Sequence, residues 1–444
     1  MAKARTCPDC RPIAQYVQYS RTLGVEDNIV SQIYNIMLSP QTKTLKVLLL
    51  DPIPEQARDV LLNAGYGIDD CYNELSEGAL ARKLTEYHVA CVAKEREDEY
   101  LTDEVLRSAH RLLAIGCFTT SASQINVSVA QHMGIPVITA PYQHQHCIAE
   151  YIMSSIVLLS RQLLDRSVEV HSQTWNKVSA GCYEVRGKTL GIIGYGGLGG
   201  QVGVLAEALS LRVIFYDQDS VMPIGSARSV ASIKELLENS NYVVVAVNAA
   251  EENVRMIGKE ELSWMPKGSY LINTSYSEAV DLEALSEALK SGQLNGAALD
   301  SFPNQPKAAK ATFQTPLEGC KNVILTPSIS DSTVQSTLRT GLEVANAIVK
   351  YIRDGTTSAA LNFPSIVAWP IKPGQCRILN MHRNVRGVLR EIDSVLSEYN
   401  VQRQLLDTQG GLGYFIADVD AESVATEIVS QLALLSHTIR MRIL

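Results

Sequence analysis

The stretch from Lys188 to Asp217 constrains the fold more than any other part of the chain. Thr189-Leu190-Gly191-Ile192-Ile193 is an apolar run of strand length, and Gly194-Tyr195-Gly196-Gly197-Leu198-Gly199 follows it directly. Gln201 to Leu209 then reads as an amphipathic helix, and Arg212 to Tyr216 as a second strand closed by Asp217. The glycines have mechanical uses in that order. Gly194 permits a tight turn, Gly196 lets backbone approach a ligand, and Gly199 lets a helix lie close against a strand; Gly197 and Leu198 complete the turn. The first turn of such a helix presents unpaired amides and the positive end of its dipole to an anion. Asp217 can accept both hydroxyls of a ribose and would repel a 2′-phosphate, which favours NAD over NADP.

The prediction is therefore a Rossmann-type, doubly wound parallel sheet in an α/β chain. The flanking sequence extends it. Thr44 to Asp51 reads as a buried parallel strand, with further strands at Val89 to Ala93, Leu112 to Ile115 and Pro136 to Thr139. Helical spacing predicts one long helix from Ile148 to His171 and another from Thr333 to Lys350. Pro364 to Gly374 holds three prolines and reads as a linker. Beyond it, strand Cys376 to Met381, helix Gly387 to Tyr399, strand Gly413 to Val419, helix Ala421 to Leu434 and the segment Thr438 to Leu444 form a compact tail.

Composition excludes more than it selects. A chain of 444 residues accommodates two or three domains, and a net charge of −8 offers no field to gather nucleic acid or an anionic membrane. No apolar run reaches the roughly 18–20 residues that cross a bilayer, so membrane insertion is not expected. Nine cysteines form no regular framework, and free thiols are expected. Cys7-Pro8-Asp9-Cys10 is half a zinc site without a second half, so no metal is predicted. The cytoplasm is the expected compartment. Lys3, Arg5, Arg11 and Arg21 against Asp9 alone also suit a transit peptide to a mitochondrion or other organelle, although Pro8, Pro12 and little serine do not.

Three later stretches carry a resemblance. Leu271-Ile272-Asn273-Thr274-Ser275-Tyr276-Ser277, Leu299-Asp300-Ser301-Phe302-Pro303-Asn304-Gln305-Pro306 and Leu325-Thr326-Pro327-Ser328-Ile329-Ser330-Asp331 are similar to signature stretches of the NAD-dependent D-2-hydroxyacid dehydrogenases, above all the phosphoglycerate dehydrogenases. Trp175-Asn176-Lys177 and the glycines between 181 and 187 match the same pattern, and the resemblance runs from about Leu45 to Leu444. It implies an N-terminal extension over 1–43, a flavodoxin-like substrate-type domain over 44–122 and 331–364, and an NAD-binding domain over 123–330. It also implies a linker over 365–373 and a ferredoxin-like ACT regulatory domain over 374–444. Family practice implies a homodimer or homotetramer paired through the nucleotide domain, with Asp300 among the cofactor-contacting residues. The arm before residue 44 lies outside the resemblance and is a candidate docking element for a larger assembly, with a helix expected between Asp27 and Leu38.

The frames depart from the family where its chemistry sits. Tyr276 stands where the family has Arg, Gln305 where it has Glu and Ser328 where it has His. Oxidising a 2-hydroxy acid moves a hydride to nicotinamide while a base takes the hydroxyl proton. His suits that base, a carboxylate orients it, and a guanidinium clamps the substrate carboxylate. Ser328, Gln305 and Tyr276 supply none of these. The family's glycine-rich carboxylate loop reads Ser121-Ala122-Ser123, and its phosphate-binding arginines fall in Lys94-Glu95-Arg96-Glu97-Asp98-Glu99. The sequence thus predicts a structural or regulatory pseudoenzyme that binds NAD. The alternative is an active oxidoreductase with relocated groups, for which Tyr276 (were a cation to lower its pKa) and His144-Gln145-His146 are candidates. A third reading is an amino-acid sensor. His382, Asn384 and Asn400 resemble the serine-binding residues of an ACT domain, with Arg386 where proline is usual.

Overall fold

A computed structural model describes residues 45–444 except Glu95, Glu97, Thr120, 307–310, 421–427, 429, 430 and 433. The N-terminal arm, with its expected helix and its cysteine pair, lies outside the described residues. The chain divides into two compact units: residues up to Pro141 together with Leu338–Leu444, and Tyr142–Thr337.

The first unit opens with strands β1 (Lys46–Leu49), β2 (Gly67–Asp70), β3 (Val89–Val92), β4 (Ala114–Cys117) and β5 (Val137–Ile138). Helices α1 (Glu55–Asn63), α2 (Glu77–Leu84), α3 (Asp103–Ser108) and α4 (Val127–His132) alternate with them. The strands pair in parallel in the order β2-β1-β3-β4-β5, the flavodoxin-like order. β3 and β4 are buried along their whole length, as expected of strands covered on both faces. Because β5 pairs with β4, this unit extends to Pro141, and the division falls later than the 122/123 and 330/331 boundaries read from the sequence.

The second unit begins with α5 (Gln145–Arg161) and α6 (Leu163–His171), where a single helix over 148–171 was expected. Gln162 breaks it. That residue adopts a left-handed conformation (φ 51°, ψ 37°), and the two helices meet at a 65° bend. Its side-chain amide donates to the Gly181 carbonyl (3.3 Å), a tertiary bond that no local pattern announces. Then follow β6 (Thr189–Ile193), α7 (Gly197–Ala208), β7 (Arg212–Tyr216), β8 (Arg228–Ser229), α8 (Ile233–Glu238), β9 (Tyr242–Val245) and α9 (Lys259–Trp264). β10 (Ser269–Asn273), α10 (Leu282–Lys290), β11 (Leu294–Leu299) and β12 (Val323–Leu325) complete it. The sheet order is β12-β11-β10-β9-β6-β7-β8, all parallel. Strand order reverses between β6 and β9, and the glycine-rich turn leaves β6 at that switch point, where open α/β sheets bind ligands.

Helix α11 (Val334–Asp354) leads to the tail, built from β13 (Gln375–Arg383), α12 (Val388–Leu396), β14 (Val401–Gln409), β15 (Leu412–Asp420) and β16 (Thr438–Ile443). The antiparallel order β14-β15-β13-β16 is ferredoxin-like and consistent with an ACT-like domain. The helix expected over 421–434 falls largely outside the described residues. β14 was not foreseen, because Gln402, Arg403 and Gln404 give this edge strand a polar reading.

The tail is not a loosely tethered module. One face of its sheet packs under α12 through Ile378, Phe415, Ala417 and Val419. The other, carrying Leu379, Met381, Tyr414 and Ile416, joins the same core as Val47 and Leu49 of β1. Nor does the expected linker hang free: Ile366 and Ala368 are buried, and their amides donate to the Thr357 and Thr356 hydroxyls. Arg377, side chain 1% exposed, donates to both oxygens of Asp418 (2.6 and 2.7 Å) and to the Asp354 carbonyl at the end of α11 (2.8 Å). The Tyr414 hydroxyl donates to the Gly355 carbonyl (2.7 Å).

Removing one partner of a buried pair strands the other charge, at a cost of about 3–5 kcal/mol. Asp418→Ala should therefore lower stability by about that amount, and Asp418→Leu combined with Arg377→Met by much less. Denaturant titration of both variants checks the difference.

Candidate functional site

The dinucleotide site forms around the turn after β6. Gly194 has φ +87°, and a β-carbon there would lie 2.5 Å from the Ala246 carbonyl oxygen. A β-carbon on Gly199 would overlap the Gly194 carbonyl oxygen, so only glycine lets α7 start this close to β6. Around Gly196 the corresponding position faces open space, as a backbone that a ligand approaches must. Gly196 provides no side-chain cap for α7, which leaves the first-turn amides to an incoming anion. Asp217, at the end of β7, accepts from the Tyr195 amide (2.6 Å) and the Asp219 amide (3.0 Å), which fixes its carboxylate beside the turn. Tyr195 in turn stacks on Phe215 of β7 (3.8 Å between centroids). These residues fit NAD: a glycine cradle at a helix N-terminus, with a carboxylate where a 2′-phosphate would otherwise lie.

Two of the three altered positions meet. The Ser328 hydroxyl donates to Gln305 Oε1 (2.8 Å) and lies 3.0 Å from the Asp300 carbonyl. Ser328 is also in the left-handed region (φ +51°), a conformation of appreciable cost for a non-glycine residue. Asp300 holds it there. Its carboxylate, 3% exposed, accepts from the Thr326 hydroxyl (2.5 Å), the Ile329 amide (3.0 Å) and the Ser330 amide (2.8 Å), while its carbonyl accepts from the Ser328 amide (2.9 Å). Tyr151 and Thr326 extend the network, with their hydroxyls 2.6 Å apart. The carboxylate of Asp300, the residue expected to touch the cofactor, also organises the 326–330 loop. Thr326 and Tyr151 were not foreseen, because nothing in their local sequence marks them as partners of Asp300.

Tyr276 stands apart from that pair. Its carbonyl accepts from Asn273 Nδ2 (3.0 Å) and its hydroxyl donates to Glu278 (3.2 Å). The phenol is pushed above its ordinary range, by desolvation first and by the neighbouring Glu278 carboxylate. The charged neighbour of the Tyr276 hydroxyl is thus an anion, whose effect on the phenol is opposite to that of the cation a proton shuttle would need.

The remaining candidates separate likewise. His144 is buried, 2.8 Å from the Ser336 hydroxyl and 3.2 Å from the Asp331 carbonyl, while His146, in the first turn of α5, faces Gln201 (3.1 Å) and Glu150 (3.1 Å). They do not share an extended face, and among the described residues no cluster of three or more metal-binding side chains occurs. In the first unit, Arg96 turns inward onto Asp51 (2.6 Å) and lies over the Tyr100 ring (4.2 Å), which occupies its guanidinium. Lys94 reaches Glu74 (3.2 Å), and the loop at Ser121 and Ser123 bonds to itself. In the tail, His382 is buried against Asn380 (3.0 Å), and burial pushes its pKa down. Asn384 donates to Gly410 (3.3 Å) and Asn400 to Asp420 (2.8 Å). Since Arg383 pairs with Leu412 and Gln375 with Asp420, those two asparagines sit at opposite ends of the strand pair, roughly 25 Å apart. One chain alone does not assemble the expected effector pocket.

Comparison with known proteins identifies the family. Residues 153–330 match the family model of the D-isomer specific 2-hydroxyacid dehydrogenase, NAD binding domain. The chain is 42% identical over 400 residues to a D-3-phosphoglycerate dehydrogenase of Dictyostelium discoideum, covering 90% of this chain and 97% of the relative. It is 36% identical over 411 residues to that of Escherichia coli K12, covering 92% and 99%. This chain belongs to the D-isomer specific 2-hydroxyacid dehydrogenase family. Among solved structures it shares the fold of D-2-hydroxyisocaproate dehydrogenase (TM-score 0.64, 20% identity, 71% of this chain and 99% of that one). The NAD complexed form of a family member from Lactobacillus delbrueckii ssp. bulgaricus is similar too (TM-score 0.62, 21% identity, 69% and 96%). As a member of this family the chain is an NAD-binding protein of Rossmann fold, and its likeness to the phosphoglycerate dehydrogenases extends over most of its length.

If Asp217 sets the cofactor preference, Asp217→Ser should narrow the margin of NADH over NADPH by about tenfold or more, loss of a charge clash being worth over 1 kcal/mol. Binding titrations with the two cofactors give the ratio.

Proposed function

We propose that this family member is a phosphoglycerate-dehydrogenase-like protein that binds NAD and has lost the usual proton-transfer chemistry, serving as a structural or regulatory subunit. The observation that carries the reading is the Ser328–Gln305 pair. A neutral hydroxyl bonded to a neutral amide (2.8 Å) stands where the family has an imidazole and a carboxylate. Neither group takes a proton near pH 7, and loss of a general base alone typically lowers a rate by about 10²–10⁴. Bound NAD would supply a hydride acceptor. The chain's own residues would hold its phosphates at the first turn of α7 and its ribose at Asp217, with no base at 328 to complete the reaction.

The second reading, an active NAD-dependent 2-hydroxyacid oxidoreductase with relocated groups, rests on the relatives. Proteins 36–42% identical over most of the chain are named as enzymes, and the glycine turn and Asp217 are present here. The names favour this reading more than the first; the side chains at 276, 305 and 328 favour the first.

Self-association belongs to the proposal. Helix α6 has no buried residue, and Val168, Val170 and Trp175 are 65, 55 and 84% exposed, an apolar face suited to a second copy in the manner the family implies. The arm over residues 1–43 would then be free to dock a different protein.

Purified protein should oxidise NADH at background rates with a panel of 2-oxo acids that includes phosphohydroxypyruvate. The triple variant Tyr276→Arg, Gln305→Glu, Ser328→His should be faster by 10² or more. Turnover by the parent at an ordinary enzymatic rate would move the assignment to the second reading. Trp175→Arg should shift the sedimentation profile toward a smaller species.

A further inference from the structure

Gly197 is the one glycine of the turn for which the fingerprint gives no reason. It needs no left-handed backbone, and it is neither the turn, the approach nor the packing glycine. The structure supplies the reason. A β-carbon at 197 would overlap the carboxamide of Gln145, whose nitrogen and oxygen both lie against that position. Gln145 is the first residue of α5, and its carboxamide has no hydrogen-bond partner among the described residues. Near their N-terminal ends α5 and α7 are linked by His146, whose Nδ1 lies 3.1 Å from Gln201 Oε1. A partnerless amide is therefore held at the mouth of the dinucleotide cradle, beside the uncapped amides of α7.

We propose that Gln145 is a cofactor-binding residue whose side-chain amide donates to the pyrophosphate across Gly197. This rests on the reading of the turn as an NAD site. A carboxamide is suited to the position. Its NH2 group adds a donor to the anion cradle, its rotation about the last bond exchanges donor and acceptor freely, and it brings no charge that would need a counterion in the free protein. Gly197 is the space that admits it.

The experiment is a set of binding titrations on the full chain with NADH, ADP-ribose and adenosine, run beside thermal melts without ligand. A hydrogen bond to a charged group is worth enough that Gln145→Ala should weaken NADH and ADP-ribose about tenfold alike, with adenosine unchanged because it lacks the pyrophosphate. Gln145→Glu, nearly the same shape with a negative charge, should weaken both phosphate ligands more than alanine does. Gly197→Ala should evict the carboxamide and reproduce Gln145→Ala, and the double variant should bind no worse than Gly197→Ala alone. Parent-like NADH binding in Gln145→Ala and Gln145→Glu would overturn the proposal while leaving the NAD site intact. So would an equal loss for adenosine, which would mean that Gln145 only packs the helices. A parent protein that binds neither NADH nor ADP-ribose would overturn the NAD reading and the proposal with it.

Discussion

The close approach of α7 to β6 is the contact on which the rest of the second unit depends. No side chain fits between Gly199 and the Gly194 carbonyl oxygen, so the helix begins directly above the strand end, at the point where strand order reverses. That places uncapped amides beside Asp217 and aligns α5, packed on α7, so that its first turn reaches the same crevice. With any larger residue at 199 the helix would stand off, and the amide cradle and its carboxylate neighbour would no longer converge.

Against this cradle, the altered positions show a loss of charge without a loss of architecture. Asp300 still organises the 326–330 loop, and Ser328 still occupies a backbone conformation of appreciable cost. Strain of that kind persists where the surrounding bonds over-determine it, and here four bonds to Asp300 do so. What has changed is the ends of side chains. Gln305 and Ser328 satisfy one another as a short neutral pair.

Much of this was legible in the sequence because it is written in local patterns. β7 was read to the residue, and β6 with its turn was recovered because apolar run, glycine spacing and closing Asp217 are contiguous. Illegible features depended on distant partners. The break at Gln162 hangs on Gly181, the polar β14 is a strand only because β15 lies beside it, and Arg377 finds Asp418 across 41 residues. The candidate site divides in the same way. Replacement of Tyr276, Gln305 and Ser328 could be named from the frames, whereas the anion beside Tyr276 and the capture of Arg96 by Asp51 are matters of three-dimensional neighbourhood. Asn384 and Asn400 were grouped by resemblance, and strand register separated them.

The tail sheet shares its hydrophobic core with β1, and this gives it a thermodynamic reach beyond its own seventy-odd residues. Cooperative units open together, so the amides of β13 that lie in this shared core should exchange with those of β1. Anything that bound the folded tail would raise the protection of the whole first unit by mass action, including strands that never touch it. In this chain the tail and the sheet whose core it shares should therefore respond to such binding as one thermodynamic component.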